Sequence, residues 1–297
     1  MTRFLLFLCW VLLAQSAQAT PDCPRIVSQS PYLTLALEWL GRGHCIVGVS
    51  RYDKQLPRLP RTGGVMDPDG AAIAALKPDL IMTSDWTSST TLESVTPPGA
   101  RALRLDGFGS LTEVETLLAT LARESRAPGA RQKLRDFSRR WRQLAAQVRG
   151  NGRRVLLVSA CSGSPYSFGR QHLVGDIFAQ AGFTVVETAP RIRHLRPGEE
   201  ITDLDTLVAR TRPDILISFT PQSADHCSMI SPDLPARIIG LQGDDFFHPG
   251  PGVLKAYAQM REQLGPPRSS SHEQGRTAPE SHGAQKGNHR PEDRRRQ

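Results

Sequence analysis

The stretch "ALKPDLIM" (75–82) recurs in altered form as "RTRPDILI" (210–217), and this repetition indicates how the chain is organised. In each copy a helical pattern ends at a Pro-Asp pair and an apolar strand pattern follows. Pro78 and Pro213 end the helix because the residue before a proline avoids the α region. One copy alone is an ordinary helix-to-strand connection. Two copies, about 135 residues apart, predict two similar α/β halves.

Strand and helix patterns alternate around both copies. Short runs rich in apolar and β-branched residues are separated by segments with apolar residues at helical spacing. A strand–helix–strand order predicts parallel sheets. The predicted fold class is therefore α/β, with two lobes of parallel sheet. The predicted strands lie in 25–31, 45–50, 79–84, 153–160, 184–188, 214–220 and 236–243, and "ESVTPPGARALRLDG" (93–107) is predicted as a further turn-and-strand unit.

The segment between the two halves, 111–149, has a different character. Its apolar residues recur at helical spacing from Val114 to Val148, and basic residues fill much of the remaining surface. We expect one or two long amphipathic helices with a heavily basic outer face. This segment is predicted as the long helical backbone that joins an N-terminal lobe at 24–110 to a C-terminal lobe at 150–264.

The two ends of the chain differ from the rest. Arg3, the apolar run after it, and the small residues Ala17 and Ala19 predict a secretory signal peptide over 1–19, and therefore a periplasmic location. Residues 265–297 almost lack apolar side chains, so we expect a disordered basic tail. The formal net charge is +8. Export, and basic residues that are not interleaved with aromatic ones, argue against a nucleic-acid partner.

Four cysteines remain once the predicted signal peptide is removed, and an exported protein is expected to pair them. Three pairings are possible. We predict Cys23–Cys45, which flank the first helix, and Cys161–Cys227, which each follow a strand of the second half and are within reach of one another. No Cys-x-x-Cys pair exists in the sequence, which argues against a zinc site or a thiol oxidoreductase.

Two long stretches of the first half, "RIVSQSPYLTLALEWLGRGHCIVGVSRYDKQLP" (25–57) and "TGGVMDPDGAAIAALKPDLIM" (62–82), resemble one family. It is the cobalamin and iron-siderophore class of periplasmic substrate-binding proteins of ABC importers, the helical-backbone metal receptors. The second half is similar through "SPYSFGRQHLVGDIFAQAGF" (164–183) and "LVARTRPDILI" (207–217), so the resemblance covers roughly 24–262. It implies a monomeric protein, not an enzyme, that captures a metal chelate between its lobes and delivers it to a permease in the inner membrane.

The resemblance, and the rule that parallel sheets bind ligands at the carboxyl ends of their strands, together predict the ligand site. Tyr52 and Tyr166 match loop aromatics with which cobalamin-binding members hold a large flat ligand. Asp245 lies where the family has an acidic residue before aromatic ones. Tyrosine and tryptophan suit such a ligand because they lose little rotamer entropy on binding. The predicted ligand contacts are Tyr32, Tyr52, Trp86, Tyr166, Phe168, His194 and Asp245.

The chain departs from the family pattern at two places that bear on the ligand. Val65 and Met66 follow the Gly-Gly pair, where cobalamin binders often carry a tryptophan and haem binders a tyrosine. The loop "RIRHLRPG" (191–198) replaces a second tryptophan, and its arginines suit the carboxylates of a siderophore or of haem. Cobalamin is the first prediction, and an iron siderophore or haem is the alternative.

No resident cofactor, metal or catalytic residue is predicted, and an exported two-lobed α/β enzyme is the rival class.

Two acidic residues are candidates for contact with the permease. Asp69, which opens a helix of the first half, and Asp205, in a helix of the second half, lie near positions where the family places paired acids. The resemblance implies that these acids dock onto permease arginines, and such contacts steer association and weaken with salt. The alternative is that each acid only stabilises the N-terminus of its helix.

Overall fold

The computed structural model describes residues 23–159, 165–219, 230–231 and 233–265. The predicted signal peptide (1–19), nearly all of the predicted tail (265–297), and Cys161 and Cys227 lie outside the described residues. The helices are α1 (Pro31–Trp39), α2 (Gly70–Ala75), α3 (Ser89–Val95), α4 (Leu111–Glu124), α5 (Ala130–Val148), α6 (Leu173–Gln180), α7 (Leu204–Thr211), α8 (Asp244–Phe247) and α9 (Val253–Leu264). The strands are β1 (Ile26–Ser28), β2 (Ile46–Val49), β3 (Leu80–Ser84), β4 (Arg101–Leu105), β5 (Arg154–Ser159), β6 (Tyr166–Phe168), β7 (Thr184–Val185), β8 (Ile192–His194), β9 (Ile215–Phe219) and β10 (Arg237–Leu241).

The first lobe contains a four-stranded parallel sheet in the order β2-β1-β3-β4. Its central strands β1 and β3 are buried at every position, which explains why their sequences are mostly apolar. Ile26 lies opposite Ile46 on one side and opposite Leu80 on the other, which fixes the register of the three strands. The predicted α/β lobe with a parallel sheet is confirmed.

The second lobe combines a parallel part with an antiparallel part. β5, β9 and β10 are parallel neighbours, and β7 pairs in parallel with the start of β5. β6 runs antiparallel to β5, and β8 runs antiparallel to β6, whereas the sequence predicted parallel pairing alone. β6 and β8 have three residues each, too few for a periodic pattern, so their pairing comes from tertiary contacts. The order is β10-β9-β5-β6-β8.

The repeated Pro-Asp phrase has the same structure in both lobes. Asp79, just before β3, accepts a hydrogen bond of 2.8 Å from the backbone N–H of Arg25, just before β1. Asp214, just before β9, accepts one of 2.8 Å from the backbone N–H of Arg154 at the start of β5. Each aspartate therefore ties a helix-to-strand connection to the neighbouring strand. Hydrogen bonds to a charged acceptor are stronger than those between neutral groups.

The side chains of the two arginines complete this arrangement. The guanidinium group of Arg25 donates to two carbonyls at the end of α2, and that of Arg154 donates to two carbonyls at the end of α7, at 2.6–3.2 Å. The last carbonyls of a helix have no partner within it, so a cation stabilises them. Lys77 and Arg212 both adopt left-handed backbone, with φ of 47° and 45°. The repeat is thus a duplicated scaffold feature.

The lobes are joined by two helices, α4 and α5, rather than by one continuous helix over 111–149. Arg126 and Gly129 have positive φ, and Pro128 between them has no N–H to donate, so the helix is interrupted there. Nε1 of Trp141, late in α5, donates to Glu115, early in α4, at 2.7 Å. The two helices are therefore antiparallel, and we call them the helical hairpin.

The helical hairpin contacts both lobes. At the start of α4, the N–H of Leu111 donates to Asp176 of the second lobe at 2.8 Å. Towards the start of α5, the ring of Phe137 meets Trp39 of the first lobe edge-on at 5.8 Å. α5 then packs against α6 and α9 of the second lobe. Both lobes therefore share one hydrophobic core with the hairpin.

A disulfide joins Cys23 to Cys45, with the Cα atoms 5.9 Å apart, and so ties the residues before β1 to the turn before β2. None of the described helices is both long and apolar enough to cross a membrane.

Candidate functional site

The carboxyl ends of the first-lobe strands meet the second lobe. The N–H of Leu173, at the start of α6, donates to the carbonyl of Phe108, just after β4, at 2.6 Å. The ring of Tyr32, after β1, stacks on that of His248, after α8, with 6.3 Å between centroids. We call the residues that follow strand ends at this junction the interlobe site. Strand ends of this kind are where α/β sheets bind ligands.

Two exposed aromatic side chains form the first-lobe wall of the interlobe site. Tyr52 and Trp86 follow β2 and β3, and 60% and 62% of their surfaces are exposed. Local turns hold both residues: the N–H of Tyr52 donates to Oγ of Ser50 at 3.2 Å, and that of Trp86 donates to Oγ of Ser84 at 3.3 Å. Large apolar side chains at the surface mark interaction sites when they cluster. Both of these predicted residues are accessible to a ligand.

Phe108 supports Trp86 and was not among the predicted contacts. The two rings stack with 5.7 Å between centroids, and Tyr32 meets Phe108 edge-on at 5.5 Å. Tyr32 is only 5% exposed, and its hydroxyl donates to the carbonyl of Leu105, so it packs beneath the exposed rings. A signal for Phe108 was present: β4 is a fourth parallel strand, so "LDGFG" (105–109) belongs to the same edge as the other loops.

Tyr166 and His194 lie side by side on the second-lobe wall. They are directly opposite each other in β6 and β8, with ring centroids 6.1 Å apart. Phe168, two residues beyond Tyr166, is 2% exposed and packs among buried aromatic side chains. Although predicted as a ligand contact, Phe168 supports Tyr166 from within the core. Its ring neighbours are Tyr166, His172, Phe219 and Phe247.

Aromatic rings form a series that crosses the lobe junction, and we call it the aromatic series. Its first part runs through Trp86, Phe108, Tyr32 and His248. Its second part starts at the adjacent residue Phe247 and runs through Phe168, Tyr166 and His194. The two ends, Trp86 and His194, are exposed and belong to different lobes.

Carboxyl groups of the first lobe lie near a guanidinium group of the second. The pKa of Asp85 is raised above its ordinary value by burial and by the neighbouring Asp106. Arg104 and the second-lobe residue Arg191 act in the opposite direction. Oδ1 of Asp85 is buried and meets no donor among the described residues. Asp106 accepts hydrogen bonds from the N–H groups of the next two residues, at 2.6 and 3.0 Å. Asp85 follows β3 and Asp106 follows β4, and neither is among the predicted ligand contacts.

Within the loop 191–198, Arg193 and Arg196 pair with acidic residues, whereas Arg191 has no such partner among the described residues. Nε of Arg193 lies 3.0 Å from Oε1 of the buried Glu187, on the face of β8 opposite His194. The guanidinium groups of Arg170 and Arg191 are exposed, and within the described part of the chain neither has an ion pair or a hydrogen bond. Arg170 and Arg191 can therefore bind a carboxylate or a phosphate group.

Asp245 and His172 both lie beside the aromatic series and bond within the second lobe. Asp245, in α8, accepts a hydrogen bond of 3.0 Å from Gln259 of α9. Burial raises the pKa of Asp245, although this hydrogen bond acts to lower it. His172 is buried, and its Nδ1 caps α6 by accepting from the N–H of Val174 at 3.2 Å. Burial, assisted by the charge of Arg191, lowers the pKa of His172 to about 4.

The two predicted docking acids occupy equivalent places in the two lobes. α2 and α7 each precede one copy of the repeated phrase, and Asp69 and Asp205 are exposed at or near their first turns. Asp69 caps α2 by accepting from the N–H of Ala72 at 3.0 Å. The cap of α7 is Asp203, so Asp205 is not needed for that purpose. For Asp69, the alternative role of stabilising the N-terminus of its helix is therefore observed in the structure.

Metal-ligand side chains converge at one place within the described chain. Sγ of Cys23, Sγ of Cys45 and a ring nitrogen of His44 lie within 4.8 Å of one another. Both sulfurs form the disulfide, so they are not the thiolates that a metal needs.

No family model matches the sequence, and no curated protein sequence matches it either. Solved structures do match. The periplasmic vitamin B12 binding protein BtuF of Vibrio cholerae aligns with a TM-score of 0.66 and 20% identity, over 82% of this chain and 97% of that one. The periplasmic heme binding protein HutB of Vibrio cholerae aligns with a TM-score of 0.67 and 16% identity, over 80% and 97%. The siderophore binding protein BauB, bound to ferric iron and two acinetobactin molecules, aligns with a TM-score of 0.64 and 19% identity, over 82% of this chain and 94% of that one.

These alignments cover nearly the whole of each relative, so the chain has the two-lobed fold of periplasmic binding proteins for vitamin B12, heme and siderophores. The fold that the sequence resemblance implied is confirmed. At identities of 16–20%, the ligands named are those of the other proteins.

Proposed function

We propose, starting from this fold, that the chain is the substrate-binding component of an ABC importer and that it captures a metal chelate at the interlobe site. The observation that carries the proposal is the aromatic series, whose exposed ends lie in different lobes. A series of rings across a lobe junction can hold one flat, rigid ligand from both sides, because ring faces bind apolar area without losing much rotamer entropy.

The charges at the interlobe site restrict the chelate. Arg170 and Arg191 favour a ligand with carboxylate or phosphate groups, and the partly exposed carboxyl group of Asp85 offers an acceptor for amide or hydroxyl donors. Cobalamin meets both conditions through its phosphodiester and its propionamide groups, and it stays the first candidate. A ferric siderophore with carboxylates is the second, and Arg170 and Arg191 are the observation that favours it.

Delivery to a permease is the second half of the proposal. Asp69 and Asp205 are supported as docking residues by their equivalent places in the two lobes, since a permease with two similar halves would meet both at once. Asp69→Asn keeps the side-chain acceptor that caps α2 and removes the charge, and Asp205→Asn is its match in α7. We expect the double variant to lose most chelate uptake in cells while its chelate affinity is unchanged. Unchanged uptake would remove the docking assignment and leave capture intact.

Chelate capture is tested by titrating the purified protein with cyanocobalamin, haemin and a panel of ferric siderophores, followed by visible absorbance. We expect one of these chelates to bind with a micromolar or lower dissociation constant and one-to-one stoichiometry. The rival class, an exported two-lobed enzyme, predicts weak or no binding across the panel together with turnover of some substrate. That result would overturn the proposal.

A further inference from the structure

Much of the positive charge of the chain is concentrated on the outer face of the helical hairpin. Residues 123–149 contain nine basic and two acidic residues, a surplus of seven, whereas the whole chain has a formal net charge of +8. All nine basic side chains are exposed. The remaining residues are therefore nearly balanced in charge, and this surface is not explained by chelate capture.

Four of these residues form a line along α5. With 3.6 residues per turn, Arg131, Arg135, Arg139 and Arg142 fall within an arc of roughly 80° and span about 17 Å of helix. We call these four the arginine stripe, and Arg149 follows it at the end of the helix. The opposite side of α5 faces the core through Phe137, Trp141, Leu144, Ala145 and Val148.

Intramolecular acids neutralise only part of this surface. Arg139 pairs with Asp136 at 2.7 Å and Arg142 pairs with Glu115 at 3.0 Å, yet the side chains of both arginines stay more than half exposed. Arg131 and Arg149 have no ion pair within the described residues. The segment 265–297 cannot supply the missing acids, because it contains seven basic residues against four acidic ones.

We propose that the arginine stripe and its basic neighbours bind the anionic phosphate layer of a phospholipid membrane. Basic side chains near an anionic lipid surface each strengthen binding by about 5-fold at low salt, without any apolar insertion. Guanidinium groups also match phosphate geometry with paired hydrogen bonds. This inference goes beyond chelate capture and does not depend on which chelate binds.

The described side chains favour lipid over nucleic acid. Proteins that bind nucleic-acid strands without sequence preference combine basic residues with exposed aromatic rings for base stacking. In 123–149 both aromatic residues, Phe137 and Trp141, are buried, at 2% and 5% exposure. The arginine stripe lies on one face of a single helix, so several guanidinium groups can meet one layer of phosphates together.

The test is co-sedimentation of the purified protein with vesicles of phosphatidylcholine, with and without phosphatidylglycerol, at low and at high salt. The triple variant R131Q/R135Q/R149Q removes three charges from the basic face. The control R58Q/R212Q/R237Q removes three exposed charges elsewhere and leaves the same net charge. Thermal melts and chelate titration of both variants verify that they fold.

We expect the protein to bind vesicles with phosphatidylglycerol and to be released by salt. The stripe variant should lose binding by on the order of 100-fold and the control by less than about 5-fold. Equal losses in both variants, or no binding to phosphatidylglycerol, would overturn the proposal. Tighter binding to duplex DNA than to these vesicles would assign the surface to nucleic acid instead. Chelate affinity should be the same in all three proteins, so the proposed function is judged separately.

Discussion

Replacing Trp86 by alanine should weaken chelate binding about tenfold. A tryptophan side chain has roughly 200 Å² of surface, so an exposed fraction of 62% leaves about 120 Å² available. One ring face already lies on Phe108, and we estimate that a flat ligand covers about half of the remainder. At about 25 cal/mol per Å², this area contributes about 1.5 kcal/mol, or roughly tenfold in the dissociation constant.

The assay for this prediction is an absorbance titration with the chelate that binds best to the unaltered protein. Trp86→Phe keeps a ring on Phe108. It should weaken chelate affinity by threefold or less, because phenylalanine has only a somewhat smaller apolar area than tryptophan. Trp39→Phe, in α1 where the ring contacts Phe137 of the helical hairpin, is the matched control and should leave affinity unchanged. Equal affinity for Trp86→Ala and the unaltered protein would show that the ligand does not cover Trp86, because an exposed ring that a ligand covers cannot be removed without loss.

Three further predictions concern stability. The folded pKa of His172, about 4, lies below its ordinary 6.5, so the unfolded chain binds more protons between these values. The contribution of His172 to the free energy of unfolding is fully present above pH 6.5 and is lost as the pH drops towards 4, by about 2 kcal/mol between pH 7 and pH 5. His172→Asn keeps the cap of α6 but does not titrate in this range. Urea melts of this variant should therefore lose that part of the pH dependence of stability. Asp79→Ala should cost about 1–2 kcal/mol and Asp79→Asn less, because Asn still accepts from Arg25; equal melting temperatures for both variants would contradict this. Cys45→Ser should cost about 3 kcal/mol by removing the constraint on the unfolded chain, and a melt that reduction does not shift would show that the cysteines are not paired.

The sequence predicted the scaffold well because local patterns determine most of it. Apolar runs bounded by glycine or proline marked β1, β3, β5 and β9, and the repeated Pro-Asp phrase marked the two lobes as equivalent. The role of the aspartates could not be read locally, since Asp79 bonds to Arg25, 54 residues away. β6 and β8 were missed for the same reason, because three-residue strands are defined only by their partners.

The candidate site was predictable in location but not in detail. Tyr52, Trp86, Tyr166 and His194 are at least partly accessible beside strand ends, as the loop positions implied. Tyr32 and Phe168 occur in the same loops and strands, yet they are buried, and no pattern in the sequence distinguishes a ring that faces a ligand from one that supports it. That distinction depends on how the two lobes pack together. Any contribution from the residues after β5 and β9, which include Cys161 and Cys227, stays a prediction.

We expect one chelate to sit between the exposed ends of the aromatic series, and anomalous scattering from its metal locates it without reference to the protein side chains. Crystals of the complex, measured at the absorption edge of cobalt or iron, should give a single strong peak between the first-lobe wall of Tyr52 and Trp86 and the second-lobe wall of Tyr166 and His194. A peak on any other surface, such as the arginine stripe, would contradict the account.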